Sequence, residues 1–366
     1  MKKIRQQTVG DLGEWAVIQR LVCALPERNA THPPASPVAK PLRAGSVAGG
    51  PERADVVVGP GDDCAVVRPA ADARYDYLLK SDPVIEGVHF TRATPGATVG
   101  HKALARVLSD IAAMGGEPLW ALVNLVAPDT MPVARVTGIY SGLSRLSRHW
   151  RVAIVGGDVT SGPRLEAHVF GVGRVPRGQA VLRSGACSGD YLFVTGALGG
   201  SRRGKHLAFQ PRLAEGRWLQ NRRWATAMID LSDGLATDLR HLIRQSRVGA
   251  ELFLTSIPLA SAISLGGLAR RVKQSASRRT ALRGAGQALR GAGQALRHAF
   301  CDGEDYELLF TVSPANAATL IRAWPKTFRT PCTYIGRITD RRDVIECVDA
   351  RGRKVRLKAT GYEHFR

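Results

Sequence analysis

The sequence predicts a mixed α/β or α+β fold in two domains. Three observations carry this expectation. Strand-like and helix-like apolar patterns are interleaved in both halves of the chain. The 366 residues are 44% hydrophobic yet hold 39 glycines and few aromatics, a composition suited to elements joined by tight turns. A run of turn residues, Pro176, Gly178, Gly185 and Gly189, separates the halves. We therefore divide the chain into residues 1–176 and 177–366.

The elements follow in order. Residues 11–24 read as a short amphipathic helix. Residues 26–53, rich in Pro, Ala, Gly and Arg, lack apolar periodicity and read as a flexible insert. Strands are expected at 56–58, 65–67 and 77–79. Leu104, Val107, Leu108 and Ile111 recur at helical spacing, and Gly115-Gly116 stops a helix over 101–115. A strand at 119–126, a helix over about 135–149 and a strand at 152–155 follow, the last closing at Gly156-Gly157-Asp158. In the second half, strands are expected at 191–195, 227–230, 250–254, 305–312 and 332–338, with a helix over 235–247. Residues 281–294 contain ALRGAGQ twice, inside a stretch (266–298) that reads as a basic surface insert.

Charge narrows the partners only broadly. The chain carries 52 Lys and Arg against 31 Asp and Glu, a net charge of +21, which favours encounter with anions without choosing among nucleotides, nucleic acid and acidic membrane. We read it as a generally basic surface, with no nucleic-acid or membrane partner expected. Six cysteines lack Cys-x-x-Cys or zinc-ligand spacing, so they read as reduced thiols in a cytoplasmic protein. The basic start, Met1 to Arg5, has no apolar stretch after it, and no run approaches a membrane span.

Against this basic background, aspartates recur beside glycines at element ends: Asp62 and Asp63, Asp82, Asp110, Asp158, Asp230 and Asp233. Carboxylates are the hard oxygen ligands magnesium takes, and glycines let phosphate oxygens approach the backbone. Together they suit phosphoryl transfer, in which positioning and charge neutralisation do most of the catalysis. Each has an ordinary alternative. Asp62-Asp63 fits a turn, Asp110 a helix-surface pair with Arg106, and Asp230 and Asp233 fit helix caps. A second phosphate-binding signal, Gly199 to Lys205, fits G-x-x-x-x-G-K but continues with His206 where a P-loop needs Ser or Thr. Neither a G-x-G-x-x-G after a strand nor a G-x-S-x-G elbow is present.

The ordered blocks Gly61-Asp62-Asp63-Cys64-Ala65, Ser81-Asp82 with Glu86-Gly87-Val88-His89-Phe90, Leu108-Ser109-Asp110-Ile111-Ala112-Ala113-Met114-Gly115, Gly156-Gly157-Asp158, Arg183-Ser184-Gly185-Ala186, Ile229-Asp230-Leu231-Ser232-Asp233-Gly234, Gly303-Glu304-Asp305-Tyr306-Glu307 and Gly361-Tyr362-Glu363-His364-Phe365 resemble thiamine-monophosphate kinase. The resemblance runs from about residue 10 to the end, apart from the two inserts. It implies the two-domain fold shared with aminoimidazole ribonucleotide synthetase, an N-terminal α/β domain that dimerises through its sheet, and a C-terminal α+β domain. It implies ATP and thiamine monophosphate as substrates, several magnesium ions and a homodimer. By that likeness Asp62, Ser81, Asp82, Asp110, Asp158, Asp230 and Asp233 would bind magnesium, and Gly157, Asp158, Arg183, Ser232 and Tyr140 would contact ATP. His89, Glu304 and Tyr362 would hold the acceptor, and Asp158, Asp110 and Arg183 would act in catalysis. Lys80, Pro83, Val159, Ser161 and Asp302 depart from the family pattern. Rival readings are a related enzyme acting on another phosphate or carboxylate acceptor, and an inactive basic nucleic-acid-binding scaffold.

Overall fold

The computed structural model describes residues 55–260 and 293–357, together with Ala16. The 11–24 helix (Ala16 apart), the 26–53 insert, most of the repeat segment, Cys23 and Tyr362 lie outside the described residues. Two sheets organise the fold. The first has six strands in the order β1-β2-β3-β6-β4-β5. These are Val56–Val58 (β1), Ala65–Val67 (β2), Tyr75–Ile85 (β3), Glu117–Ala127 (β4), Ala153–Ser161 (β5) and Glu166–Pro176 (β6). All neighbours run antiparallel except β4 and β5.

Helix α1 (Gly96–Ala113) lies against this sheet. Most of its residues are buried, polar Lys102, Ser109 and Asp110 included, so it is an interior helix rather than an amphipathic surface one. Small residues let its neighbours come close. A Cβ at Gly171 of β6 would stand 2.3 Å from the Val107 side chain. Helix α2 (Val133–Trp150) crosses α1 on a glycine seam. A Cβ on Gly100 would fall 1.9 Å from the Ile139 carbonyl oxygen, and one on Gly142 1.9 Å from that of Ala97.

The second sheet has seven strands in the order β13-β12-β9-β11-β7-β10-β8: Tyr191–Thr195 (β7), Ala225–Asp230 (β8), Gly249–Phe253 (β9), Leu308–Val312 (β10), Cys332–Thr339 (β11), Ile345–Val348 (β12) and Lys354–Arg356 (β13). Its helices are α3 (Leu213–Asn221), α4 (Leu235–Ser246) and α5 (Pro314–Thr327). One apolar core lies on the α4 side of this sheet. The other core is continuous across both halves. It joins Leu104, Leu108 and Ile111 of α1 to Leu213, Met228, Phe310 and Trp324.

Several expectations change. Strand β3 runs for eleven residues through Pro83, and β5 continues through Gly156 and Gly157 to Ser161, so Asp158 lies within a strand rather than closing one. Strand β10 begins only at Leu308, because Gly303, Glu304 and Tyr306 take positive φ and form a loop instead. Strand β6 and helices α3 and α5 are additional. Residues 293–301, whose first part falls in the expected basic insert, are helical. Ala299 and Phe300 there are buried, and Leu296 packs on the α4-side core.

Candidate active site

Three aspartates from separate elements meet where the two halves touch. Asp63 comes from the β1–β2 loop, Asp110 from the last turn of α1 and Asp230 from the end of β8. One carboxylate oxygen from each lies within 4.8 Å of the others, and all three residues are buried. Asp62 adjoins them and accepts hydrogen bonds from the Asp63 backbone N–H at 2.9 Å and from that of Arg183 at 3.1 Å. The Arg183 guanidinium donates to Asp63 Oδ1 at 2.6 Å. Asp82, on β3, adjoins Asp110. The Lys80 ammonium lies 2.8 Å from Asp110 Oδ1 and 3.7 Å from Asp82 Oδ1, and Arg106 Nε is 4.0 Å from Asp82 Oδ2.

Burial and mutual repulsion disturb these carboxylates. Burial, then the Asp63 charge, pushes Asp62 up to about 7. Burial with the Asp63 charge does the same to Asp230, although Ser109 Oγ donates to it at 2.6 Å. Asp110 is raised well above the usual range, chiefly by burial and against the pull of Lys80. Asp82 is the exception. Burial opposes its charge, but Lys80 and Arg106 outweigh it and hold the carboxyl below the usual range. Clustered carboxylates raised in this way lack positive charge.

A cation fits that deficit. Asp63 Oδ2 is buried with no hydrogen-bond partner, and the three converging atoms are all hard carboxylate oxygens, the donor set magnesium takes. Asp63 is the residue the sequence reading passed over in favour of Asp62. The pair sits in one loop, and only the fold shows that Asp63 is the more deeply buried.

Beside the cluster lies a cleft lined by Val88, His89, Arg106, Arg202, Ser232, Asp233, Glu304 and Tyr306. It gathers the expected acceptor residues His89 and Glu304 with Ser232 and Asp233. Lys102, fully buried on α1, donates from Nζ to the His89 carbonyl and to Glu304 Oε1, both at 2.7 Å. Burial lowers the Lys102 ammonium to about 8 despite Glu304. The Glu304 loop is held in its left-handed turns by Glu304 N–H to the Ser232 carbonyl (2.7 Å) and Tyr306 N–H to that of Leu231 (2.8 Å). Such backbone is uncommon outside glycine and persists where its surroundings fix it.

Other expected residues stand apart from the buried cluster. Gly157 and Asp158 are exposed on edge strand β5, where Asp158 Oδ1 accepts from the Val159 N–H at 2.9 Å. A Cβ at Gly157 would fall 1.8 Å from the Val123 carbonyl oxygen, so close strand contact requires this glycine. Ser81 is exposed on β3, and Tyr140 is 37% exposed on α2.

The ordinary alternatives resolve as well. Asp110 pairs with Lys80 rather than Arg106. At the α4 N-terminus it is Asp238, in the first turn, that accepts from the N–H groups of Asp233 and Gly234 at 3.0 Å. The P-loop look-alike has structural work instead. Lys205 Nζ donates to Glu307 Oε1 at 2.8 Å, and the Gly199 N–H donates to Asp305.

Residues 61–175 match the family described as AIR synthase related protein, N-terminal domain, and residues 180–348 match its C-terminal domain. The chain is 34% identical over 337 residues to thiamine-monophosphate kinase of Escherichia coli K12, covering 86% of this chain and 93% of that one. The chain belongs to the thiamine-monophosphate kinase family. The Rhodopirellula baltica member is 36% identical over 294 residues, 78% of this chain and 84% of its own. Among solved structures of the kinase family, AaThiL complexed with AMPPCP and TMP superposes with a TM-score of 0.71 at 27% identity, over 99% of this chain and 100% of that one.

Proposed function

We propose that the chain transfers the γ-phosphoryl group of ATP to thiamine monophosphate, giving ADP and thiamine diphosphate. Kinship over nearly the whole chain supports the reaction. The observation that carries it here is the buried Asp63, Asp110 and Asp230 cluster beside a cleft lined by His89, Arg106 and Glu304.

Asp62, Asp63, Asp82, Asp110 and Asp230 would hold magnesium, with Ser81, Asp158 and Asp233 completing the set from exposed or cleft-lining positions. When bound, magnesium neutralises charge on the donor and acceptor phosphates. The chain's own residues supply the rest. Arg106 Nε and Nη1 are buried without a hydrogen-bond acceptor, and phosphate oxygens are the acceptors a guanidinium fits. Glu304, positioned by Lys102, offers a carboxylate to the cationic thiazolium of the acceptor, with His89 beside it, and the family likeness adds Tyr362 as a further acceptor residue. Arg183, Gly157, Ser232 and Tyr140 contact ATP.

The acceptor phosphate has a second pKa near 6 and is mostly dianionic at neutral pH, so no strong base is needed. Its oxygen bonds the γ-phosphorus while the bond to the bridging oxygen breaks, and ADP leaves without a phosphoenzyme.

The enzyme works in the cytoplasm as a homodimer. Trp120, Leu122, Val155, Phe170 and Val172 line an apolar hollow on the face of the first sheet, and Trp120 is 46% exposed. A patch of that kind suits a second copy. Among the described residues no helix is long and apolar enough to cross a membrane. The test is ADP release with ATP and magnesium, with and without thiamine monophosphate. Stimulation that disappears in Asp110→Asn is expected. No stimulation in folded wild-type protein would refute the reading.

A further inference from the structure

Lys80 departs from the family pattern, and in the structure it points into the carboxylate cluster. Side chains alternate along a strand, so Lys80 and Asp82 of β3 share a face. That face meets α1 at Asp110. The ammonium lies at hydrogen-bond distance from Asp110 Oδ1 and 3.7 Å from Asp82 Oδ1. It touches both carboxylates and is tethered to the sheet, so it cannot diffuse away as an ion does.

Charge counting gives its presence a consequence. Five carboxylates gather here: Asp62, Asp63, Asp82, Asp110 and Asp230. Three fixed cations face them: Arg183 on Asp63, Arg106 near Asp82, and Lys80 between Asp82 and Asp110. The carboxylates outnumber these cations, so a place for metal remains beside the ammonium. The unpartnered oxygen, Asp63 Oδ2, belongs to Asp63, whose contacts are with Arg183 and not Lys80. The place open to a metal, at Asp63 and Asp230, and the place filled by the ammonium, at Asp82, therefore meet at Asp110.

We propose that Lys80 is a resident cation of the active site, standing between Asp82 and Asp110 in place of a divalent ion. This deepens the kinase reading and rests on it for the role of the cluster. The chain thus takes one divalent ion fewer than the same site without the lysine, and it keeps the Asp82–Asp110 side neutralised when metal is scarce.

The test counts bound ions rather than turnover. Chelator-stripped wild-type, Lys80→Ser and Lys80→Met proteins are titrated with Mn2+ at a saturating non-hydrolysable ATP analogue. Free Mn2+ is read by electron paramagnetic resonance. Lys80→Ser, which removes the ammonium and leaves room, is expected to bind one more Mn2+ per chain than wild type. Lys80→Met keeps the length of the stem and guards against collapse of the site. In it the first Mn2+ is expected to bind about tenfold more tightly, since a nearby positive charge is gone. Equal stoichiometry in wild type and Lys80→Ser, or unchanged affinity in Lys80→Met, would overturn the proposal. Because the count needs no acceptor, a wild type inert toward thiamine monophosphate would refute the kinase reading and leave this result standing.

Discussion

Removing metal from this protein should invert the usual response to mild acid, and Asp230 shows why. Its carboxyl is 3% exposed and titrates near 7 in the fold, against 3.8 unfolded. Between those values the folded state binds the extra proton. Stability from this group is therefore greatest at low pH and falls as pH rises toward 7. The ceiling is about 4 kcal/mol, at about 1.4 kcal/mol per pKa unit, and about 2–3 kcal/mol of it is lost between pH 5 and pH 8. Asp62 and Asp110 add in the same direction. His241, lowered by burial to about 4, acts in the opposite sense between about 4 and 6.5, so the comparison needs a variant in which only Asp230 changes. Asp230→Asn is that variant: its amide cannot titrate, yet its carbonyl oxygen can still accept the Ser109 hydrogen bond. Urea unfolding of chelator-treated Asp230→Asn at pH 5 and pH 8 should show a pH dependence shifted by about 2–3 kcal/mol relative to wild type. Millimolar magnesium at pH 8 should restore the wild type but do little for the variant. Parallel pH profiles for the two proteins, or no magnesium effect on wild type, would refute the reasoning.

Lys205→Met should destabilise the fold by about 1.5–3 kcal/mol, because it takes a charged donor from the buried Glu307 and leaves Arg212 as its remaining cation. It should leave the KM for ATP nearly unchanged, which equilibrium unfolding and initial rates together would check. Gly142→Ala should also destabilise, by about 1–3 kcal/mol, although alanine is the better helix former, since its Cβ would meet the Ala97 carbonyl oxygen at 1.9 Å. A rise in melting temperature would contradict the close helix crossing. Trp120→Glu should convert the proposed dimer to monomer in sedimentation velocity while far-ultraviolet circular dichroism stays the same. A dimer that persists would place the interface elsewhere.

How far the sequence could be read depended on contrast between faces. Helix α1 was legible because Leu104, Val107, Leu108 and Ile111 recur at helical spacing. Strand β6 was not, although its burial alternates throughout. Its inward positions include Gly171 and Gly173, while its outward positions include Phe170 and Val172, so polarity hardly changes from residue to residue. Helix α5 was hidden by its alanines and by Pro325 inside it. At the site, the aspartates were individually visible beside glycines, but their meeting was not. Asp63 and Asp230 are 167 positions apart in the sequence, and only the docking of the second sheet on α1 brings them together. The inward turn of Lys80 and the orphaned donors of Arg106 depend on the same docking. Residue types told the chemistry, whereas geometry told which of them share it.

Helix α1 has one more consequence. It belongs by chain order to the first half, yet Ser109 bonds Asp230, Lys102 bonds Glu304, and the Ala112 backbone lies where a side chain on Gly216 would stand. Ser109 finds its carboxylate partner, and Lys102 its counter-charge, only after the second half has been translated. A nascent first half therefore carries a buried Lys102 without its counter-charge, and should linger as a loosely ordered, chaperone-dependent species until synthesis ends. The finished protein should melt in one cooperative step rather than domain by domain.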